Sequence, residues 1–175
     1  WNNIVWAGGT NTFTLLSALN VDGNLTLSNA NAHTVVGAGY LTSVGGTLSL
    51  SSNGCVLELA NNITVGNLTT VTGSVILGAV TGYTINILGN FTNNAGTTGL
   101  CDLVMAGTGI WSGTQRLQLN LTFNTAGTIT VSGTVTFGVA SKTLTYTAGT
   151  IVTTGSTLIL YPCNINTNVI QWNIV

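Results

Sequence analysis

The sequence predicts an all-β chain wound as a parallel β-solenoid (β-helix) of about eight coils of 20–22 residues. Three observations predict it: apolar residues alternate with period two in segment after segment, helix signals are missing, and one nine-residue phrase recurs at nearly constant spacing. The phrase reads AGTGIWSGT (106–114), AGTITVSGT (126–134) and AGTIVTTGS (148–156), which align without gaps at intervals of 20 and 22 residues. A period of that length holds about three short strands, which is one coil of a stack in which each coil buries its apolar side against its neighbours.

Each strand follows from its own alternation. NLTLS (24–28), GTLSL (46–50), CVLEL (55–59), NITV (62–65) and TINI (84–87) set aliphatic residues on one face and polar ones on the other. In LQLNLTF (117–123), Leu117, Leu119, Leu121 and Phe123 share the inner face; in GTITVSGTVTFG (127–138), Ile129, Val131, Val135 and Phe137 do. KTLTYT (142–147) continues the scheme. Thr and Val suit a pleated surface, and 23 Gly against one Pro assign the turns to glycine, with strands of about four to six residues. Fainter echoes are TGS at 72–74, the likeness of NFTNNAGT (90–97) to NLTFNTAGT (120–128), and NLT at 24, 67 and 120.

Composition bounds what such a chain does. At 175 residues, 1–175 is expected to be a single solenoid unit, and the absence of an initial Met or signal segment suggests a processed form or a piece of something longer. Asp22, Glu58, Asp102, Arg116 and Lys142 are the only charged residues, 3% of the chain, so two cations cannot track a nucleic-acid backbone. Mean hydropathy is +0.52, yet every apolar run is broken well short of a spanning helix. A membrane barrel is disfavoured by strands too short for it and by aromatics that do not mark strand ends. Cys55, Cys101 and Cys163 are odd in number and lack a C-x-x-C pair, so buried free thiols are expected, with a 55–101 or 101–163 bridge as the alternative.

GNLTL (23–27), NNITVGNLT (61–69), LGNFTNNAGT (88–97), GTGIWSGTQ (107–115) and NLTFNTAGTITVSGTVTFG (120–138) carry a resemblance. The pattern is similar to the degenerate β-strand repeats of filamentous-haemagglutinin and autotransporter-passenger surface proteins, and of fibre proteins in viruses. That resemblance implies an extracellular or cell- or virion-surface β-helix serving as stalk, fibre or adhesive surface.

Chemistry is sparse. Three carboxylates in total are too few for the paired acid and base of a β-helical carbohydrate enzyme, so no catalysis, metal or cofactor is expected. His33 has no recognisable triad partner and reads as a loop histidine, and GTGIWSG (107–113) lacks the lysine of a phosphate loop. Asn24, Asn62, Asn67, Asn90 and Asn120 head N-x-[ST] sequons and are candidate glycan acceptors, although Asn, Ser and Thr are frequent enough for chance to supply about this many. Thr-x-Thr pairs at 128/130, 134/136, 143/145 and 145/147 suggest an ice-binding array, weakened because they keep no fixed coil position. Trp1, Trp6, Trp111 and Trp172 are candidate sugar-stacking platforms or cap residues.

The leading functional expectation is structural. WNNIV (1–5) returns as WNIV (172–175), 171 residues on and close to eight coils, which suggests a joint between successive units. Trp1, Ile4, Val5, Trp6, Val169, Ile170, Trp172, Ile174 and Val175 are the expected interface of a head-to-tail homopolymer or tandem array, assembling through open solenoid edges. The alternatives are a glycan-binding adhesin module, a strand-donating pilin-like subunit and a β-helical enzyme.

Overall fold

The computed structural model describes residues 1–7, 12–28, 34–37, 41–51, 53–78 and 82–166. Every strand pairing among them is parallel, and no helix is present. The chain opens with a partial turn, β1 (Ile4–Ala7) and β2 (Thr12–Thr14). Seven complete turns follow. They are β3 (Leu19–Val21), β4 (Leu25–Ser28) and β5 (Thr34–Gly37); β6 (Leu41–Leu50) and β7 (Cys55–Leu59); β8 (Ile63–Thr70) and β9 (Ser74–Leu77); β10 (Thr84–Ile87), β11 (Phe91–Asn93) and β12 (Gly96–Gly99); β13 (Asp102–Met105), β14 (Gly109–Gly113) and β15 (Arg116–Leu117); β16 (Asn120–Val131) and β17 (Thr134–Phe137); β18 (Thr143–Val152) and β19 (Thr157–Leu160). Strand β20 (Asn164–Asn166) begins another turn.

Each turn presents three faces. The first runs from β3 through β10 and β13 to β20, the second from β1 through β4, β11 and β14, and the third is the separate eight-stranded sheet from β2 to β19. Strands β6, β8, β16 and β18 bend from the first face onto the second, which is why they run to 8–12 residues against the four to six expected. In β16 the bend falls at register breaks between Phe123 and Thr128.

The alternation read from the sequence becomes interior files of stacked side chains on all three faces. Val21, Val44, Val65, Ile87, Met105, Phe123 and Tyr146 stack on the first face. Ile4, Leu25, Leu48, Leu68, Phe91, Trp111 and Val131 stack on the second, and Cys55, Val75, Thr97, Leu117, Phe137 and Leu160 on the third. Nearly all are fully buried, each aliphatic or aromatic member contributing about 1.5–3 kcal/mol of transfer free energy.

The repeat seen in the sequence is the true register. Gly109 pairs with Ile129, 20 residues on, and Thr128 with Thr150, 22 on. The expected solenoid holds, with seven full turns and partial ones at both ends of the described residues, and steps along the files range from 18 residues (Leu103 to Leu121) to 23 (Leu121 to Leu144). The corners absorb the variation. At the first-to-second-face corner the turns approach so closely that a Cβ on Gly66 would lie 2.2 Å from the Gly45 carbonyl oxygen.

Candidate assembly edges

Strand β1 stands first on the second face and, among the described residues, pairs with β4 alone, from Ile4 opposite Leu25 to Ala7 opposite Ser28. Ile4 and Trp6 point back onto the core, whereas Val5 is 63% and Trp1 78% exposed. Trp1 lies along the outer edge of β3: the Asp22 N–H donates to the Trp1 carbonyl (2.6 Å), and the Trp1 nitrogen donates to the Asn20 carbonyl (3.2 Å). This two-bond pattern places Trp1 opposite Val21 in a parallel ladder. Trp1, Asn3, Ile4, Val5, Trp6, Leu15 and Leu19 line an open hollow of about 510 Å³.

At the other end, among the described residues β20 pairs with β18 alone, and the Asn164 N–H donates to the Lys142 carbonyl (2.8 Å). All three residues of β20 are exposed, Ile165 by 44%. Strands β1, β2, β3, β19 and β20 carry no charged residue, although charge and proline are the usual guards of a free strand edge. The structure thus brings Trp1, Ile4, Val5 and Trp6 together at one edge. Val169, Ile170, Trp172, Ile174 and Val175 lie outside the described residues, as do His33 and the expected meeting of the two termini.

The five sequon asparagines share one task that the sequence did not disclose. Each places its side-chain carbonyl under a backbone N–H of the next turn: Asn24 accepts from Thr47 (2.8 Å), Asn62 from Thr84 (2.9 Å), Asn67 from Asn90 (2.7 Å), Asn90 from Ile110 (2.9 Å) and Asn120 from Thr143 (2.9 Å). Asn3 does the same for Asn24 (2.8 Å) and Asn53 for Ser74 (2.9 Å). The Asn-apolar-Thr triplet is therefore a corner signature: Asn receives the N–H that the ladder leaves at a strand entrance, the apolar residue turns inward, and Thr turns outward. Asn120 also donates its amide N–H to Asp102 Oδ1 (2.7 Å), which occupies the nitrogen a glycan would need.

The charged residues are dispersed. Arg116 lies 4.5 Å from the Tyr161 ring centre and donates to Gln118 (3.2 Å), and Lys142 donates to the Gly99 carbonyl (3.2 Å). Among the described residues no three His, Cys, Asp or Glu side chains gather as a metal site. No helix there is long and apolar enough to cross a membrane.

No disulfide joins the three cysteines, so neither bridge forms; Cys55 and Cys101 are buried and Cys163 half-buried. Burial, with the Asp102 carboxylate second, pushes the Cys101 thiol up to about 12. An unfolded chain loses that proton near pH 9, whereas the folded chain holds it to about 12, so folding stability falls as pH rises through this window. Urea titrations should show a loss of about 1.4 kcal/mol per pH unit from Cys101 across the window, so the slope should fall in Cys101→Ala, with Cys163, whose thiol burial also pushes up, supplying part of what remains. An unchanged slope in that variant would refute the assignment.

Trp111 corrects one expectation. It is 1% exposed and packs on Phe123 with ring centres 5.8 Å apart, so it offers no sugar platform. The Thr-x-Thr pairs fall on three different faces. A regular outward file exists instead on the second face, where Thr26, Ser49, Thr69, Thr92 and Ser112 occupy one position in five successive turns and hydrate the surface without charge. No protein family, curated protein or solved structure matches the chain. The solenoid arrangement is that of β-strand-repeat proteins in general.

Proposed function

We propose that this chain is a non-catalytic structural unit of an extracellular fibre, assembling end to end through its solenoid edges. The observation that carries the reading is that, among the described residues, the outermost strands β1 and β20, which contain no charged side chain, each pair on one side only of a continuous parallel ladder. A parallel edge with unpaired N–H and C=O groups is a template for another strand, and the stack already repeats this interface turn after turn. The low charge, the hydroxyl-lined exterior and the resemblance of the sequence to surface-protein repeats support an extracellular setting. Of the alternatives, the adhesin loses the Trp111 platform, and the enzyme finds no paired carboxylates.

Electron microscopy and sedimentation of the purified full chain test the reading. The expected result is unbranched filaments whose strands lie across the axis, with a strong axial repeat of about 4.8 Å. A dispersed monomer at all concentrations would overturn it.

A further inference from the structure

We propose that the third face carries a seat for a carboxylate-bearing sugar, a uronic acid residue of an acidic polysaccharide, built from Arg116, Gln118 and Tyr161 over Gly138. This goes beyond the structural reading above and stands whether or not copies join end to end.

Three successive turns make the seat. Leu117 on β15 pairs with Phe137 on β17, which pairs in turn with Leu160 on β19. The residues that follow these three, Gln118, Gly138 and Tyr161, therefore stand one above another as the chain leaves the third face. The middle place has no side chain. Arg116, half-buried beside Leu117, crosses that gap: its guanidinium carbon lies 4.5 Å from the centre of the Tyr161 ring, two turns on, and its Nη2 donates to Gln118 Oε1 (3.2 Å). Glycine is required at 138 for reasons of its own, since φ is +110° and a Cβ there would lie 2.9 Å from the Tyr161 carbonyl oxygen and from Cys163 Cβ. The backbone thus sets the gap that admits the guanidinium.

What lies there is a cation that is held but not neutralised. A guanidinium offers five N–H donors in a planar fork, and Gln118 takes one of them. Among the described residues no carboxylate stands within 4.0 Å of Arg116, and Asp102 is occupied by the Asn120 amide (2.7 Å). The contact with Tyr161 is made to the ring, which orients the fork and leaves its remaining donors unused. A carboxylate matches such a fork with two parallel charge-assisted hydrogen bonds.

The surroundings choose among carboxylates. Tyr161 is 46% exposed, and with the guanidinium against one face its open side is an aromatic platform for the C–H face of a sugar ring. Thr136, opposite Arg116 in the ladder, and Thr98, the outward neighbour one turn before Gln118, set hydroxyls beside it for a polyol. The other cation, Lys142, is tied to the Gly99 carbonyl (3.2 Å). One free fork in a neutral, hydroxylated surface suits the single charge of a uronate better than the two charges of a phosphate monoester.

The test is a titration of the full chain with trigalacturonate, read by saturation transfer on the sugar's own NMR signals so that the assembly state of the chain does not matter. The native chain should bind it, more weakly as salt is raised. The methyl ester of the same trisaccharide keeps every ring and loses the charge, and should bind at least about tenfold more weakly. Arg116→Gln should cost the acid about tenfold or more, Arg116→Lys about fivefold because the charge stays but the fork is lost, and Tyr161→Leu about threefold to fivefold. Lys142→Gln should leave the affinity unchanged. No binding by the native chain, an ester bound within twofold of the acid, or Arg116→Lys equal to the native chain would overturn the seat. So would a loss in Lys142→Gln as large as that in Arg116→Gln, or equal binding of a sulfated trisaccharide or of triglutamate. Should Arg116→Gln fail to fold, the acid and ester compared on the native chain and on Tyr161→Leu decide the matter.

Discussion

Gly99→Ala should lower stability by about 3–5 kcal/mol, a large share of the roughly 5–15 kcal/mol that holds a domain together. The reason is the closeness of turns at the corner between the third and first faces. Gly99 has φ +142°, a conformation that side chains rarely adopt, and a Cβ there would lie 1.9 Å from the Leu77 carbonyl oxygen and 2.7 Å from its carbon. That oxygen is in use: it accepts the N–H groups of Leu100 (3.1 Å) and Cys101 (3.3 Å). The methyl group must therefore displace backbone and break the bonds that tie one turn to the next. Gly155→Ala is the control, since φ is +75° but nothing lies within 4 Å, and only the backbone term of about 1–2 kcal/mol applies. Thermal melts should separate the two variants by roughly 2–16 °C for a chain of this size. Hydrogen exchange should quicken first at Leu100 and Cys101, because a stack loosens at the damaged interface. Equal melting temperatures for the two variants would show that the corner relaxes freely and that turn spacing is not set there.

Such corners mark where sequence reading succeeds and where it stops. Period two and the phrase at 106, 126 and 148 encode the strands and their true register, because those positions all sit on the second face and at the turn that leaves it. The likeness of NFTNNAGT to NLTFNTAGT, by contrast, is out of phase: Phe91 stands on the second face and Leu121 on the first. Both faces open with the same Asn-apolar-Thr corner, so equal words mark unequal places. Steps of 18 to 23 residues differ only by what the corners insert, which is why the spacing read from the repeated phrase is narrower than the spacing along the stack.

The burial of Trp111 was legible. Its aligned partner Val131 lies on the inner face of a clear alternation, so Ile110, not Trp111, had to point outward. Of the candidate interface, Trp1, Ile4, Val5 and Trp6 came from the echo of WNNIV (1–5) in WNIV (172–175), and the structure sets them at the first turn of the described stack. Strand β20 was missed because Asn164, Ile165 and Asn166 hold too short an alternation to read.

Asn93→Leu should destabilise the chain by about 2–3 kcal/mol even though it restores the aliphatic character of its file. That file runs Trp6, Leu27, Leu50, Thr70, Asn93 and Gly113, changing from apolar to polar midway up the stack. Asn93 is 1% exposed; its Oδ1 accepts the hydroxyls of Thr70 (2.9 Å) and Thr97 (2.5 Å), and its Nδ2 donates to the Gln115 carbonyl (2.8 Å). Leucine removes the acceptor for two buried hydroxyls and the donor for a carbonyl, and desolvated groups without their partner cost more than the bond contributed. Replacing the whole cluster, Thr70→Val with Asn93→Leu and Thr97→Val, should recover part of that loss, because no hydroxyl is then stranded, while the Gln115 carbonyl and the Ala95 N–H, which donates to Thr70 Oγ1 (3.3 Å), stay without their partners. The triple variant should therefore be more stable than the sum of its three single changes, measured as a multi-mutant cycle in urea. Strict additivity would show that the three side chains act independently and would sink the account. What the triple variant should lose is uniqueness. Uniform aliphatic files accept neighbouring turns in more than one alignment, whereas Thr70, Asn93 and Thr97 bond across adjacent turns in one alignment only. Amide spectra of the triple variant should then show several peaks for residues of β8, β11 and β12 where the native chain shows one, and a fibre built from it should vary in twist from one unit to the next.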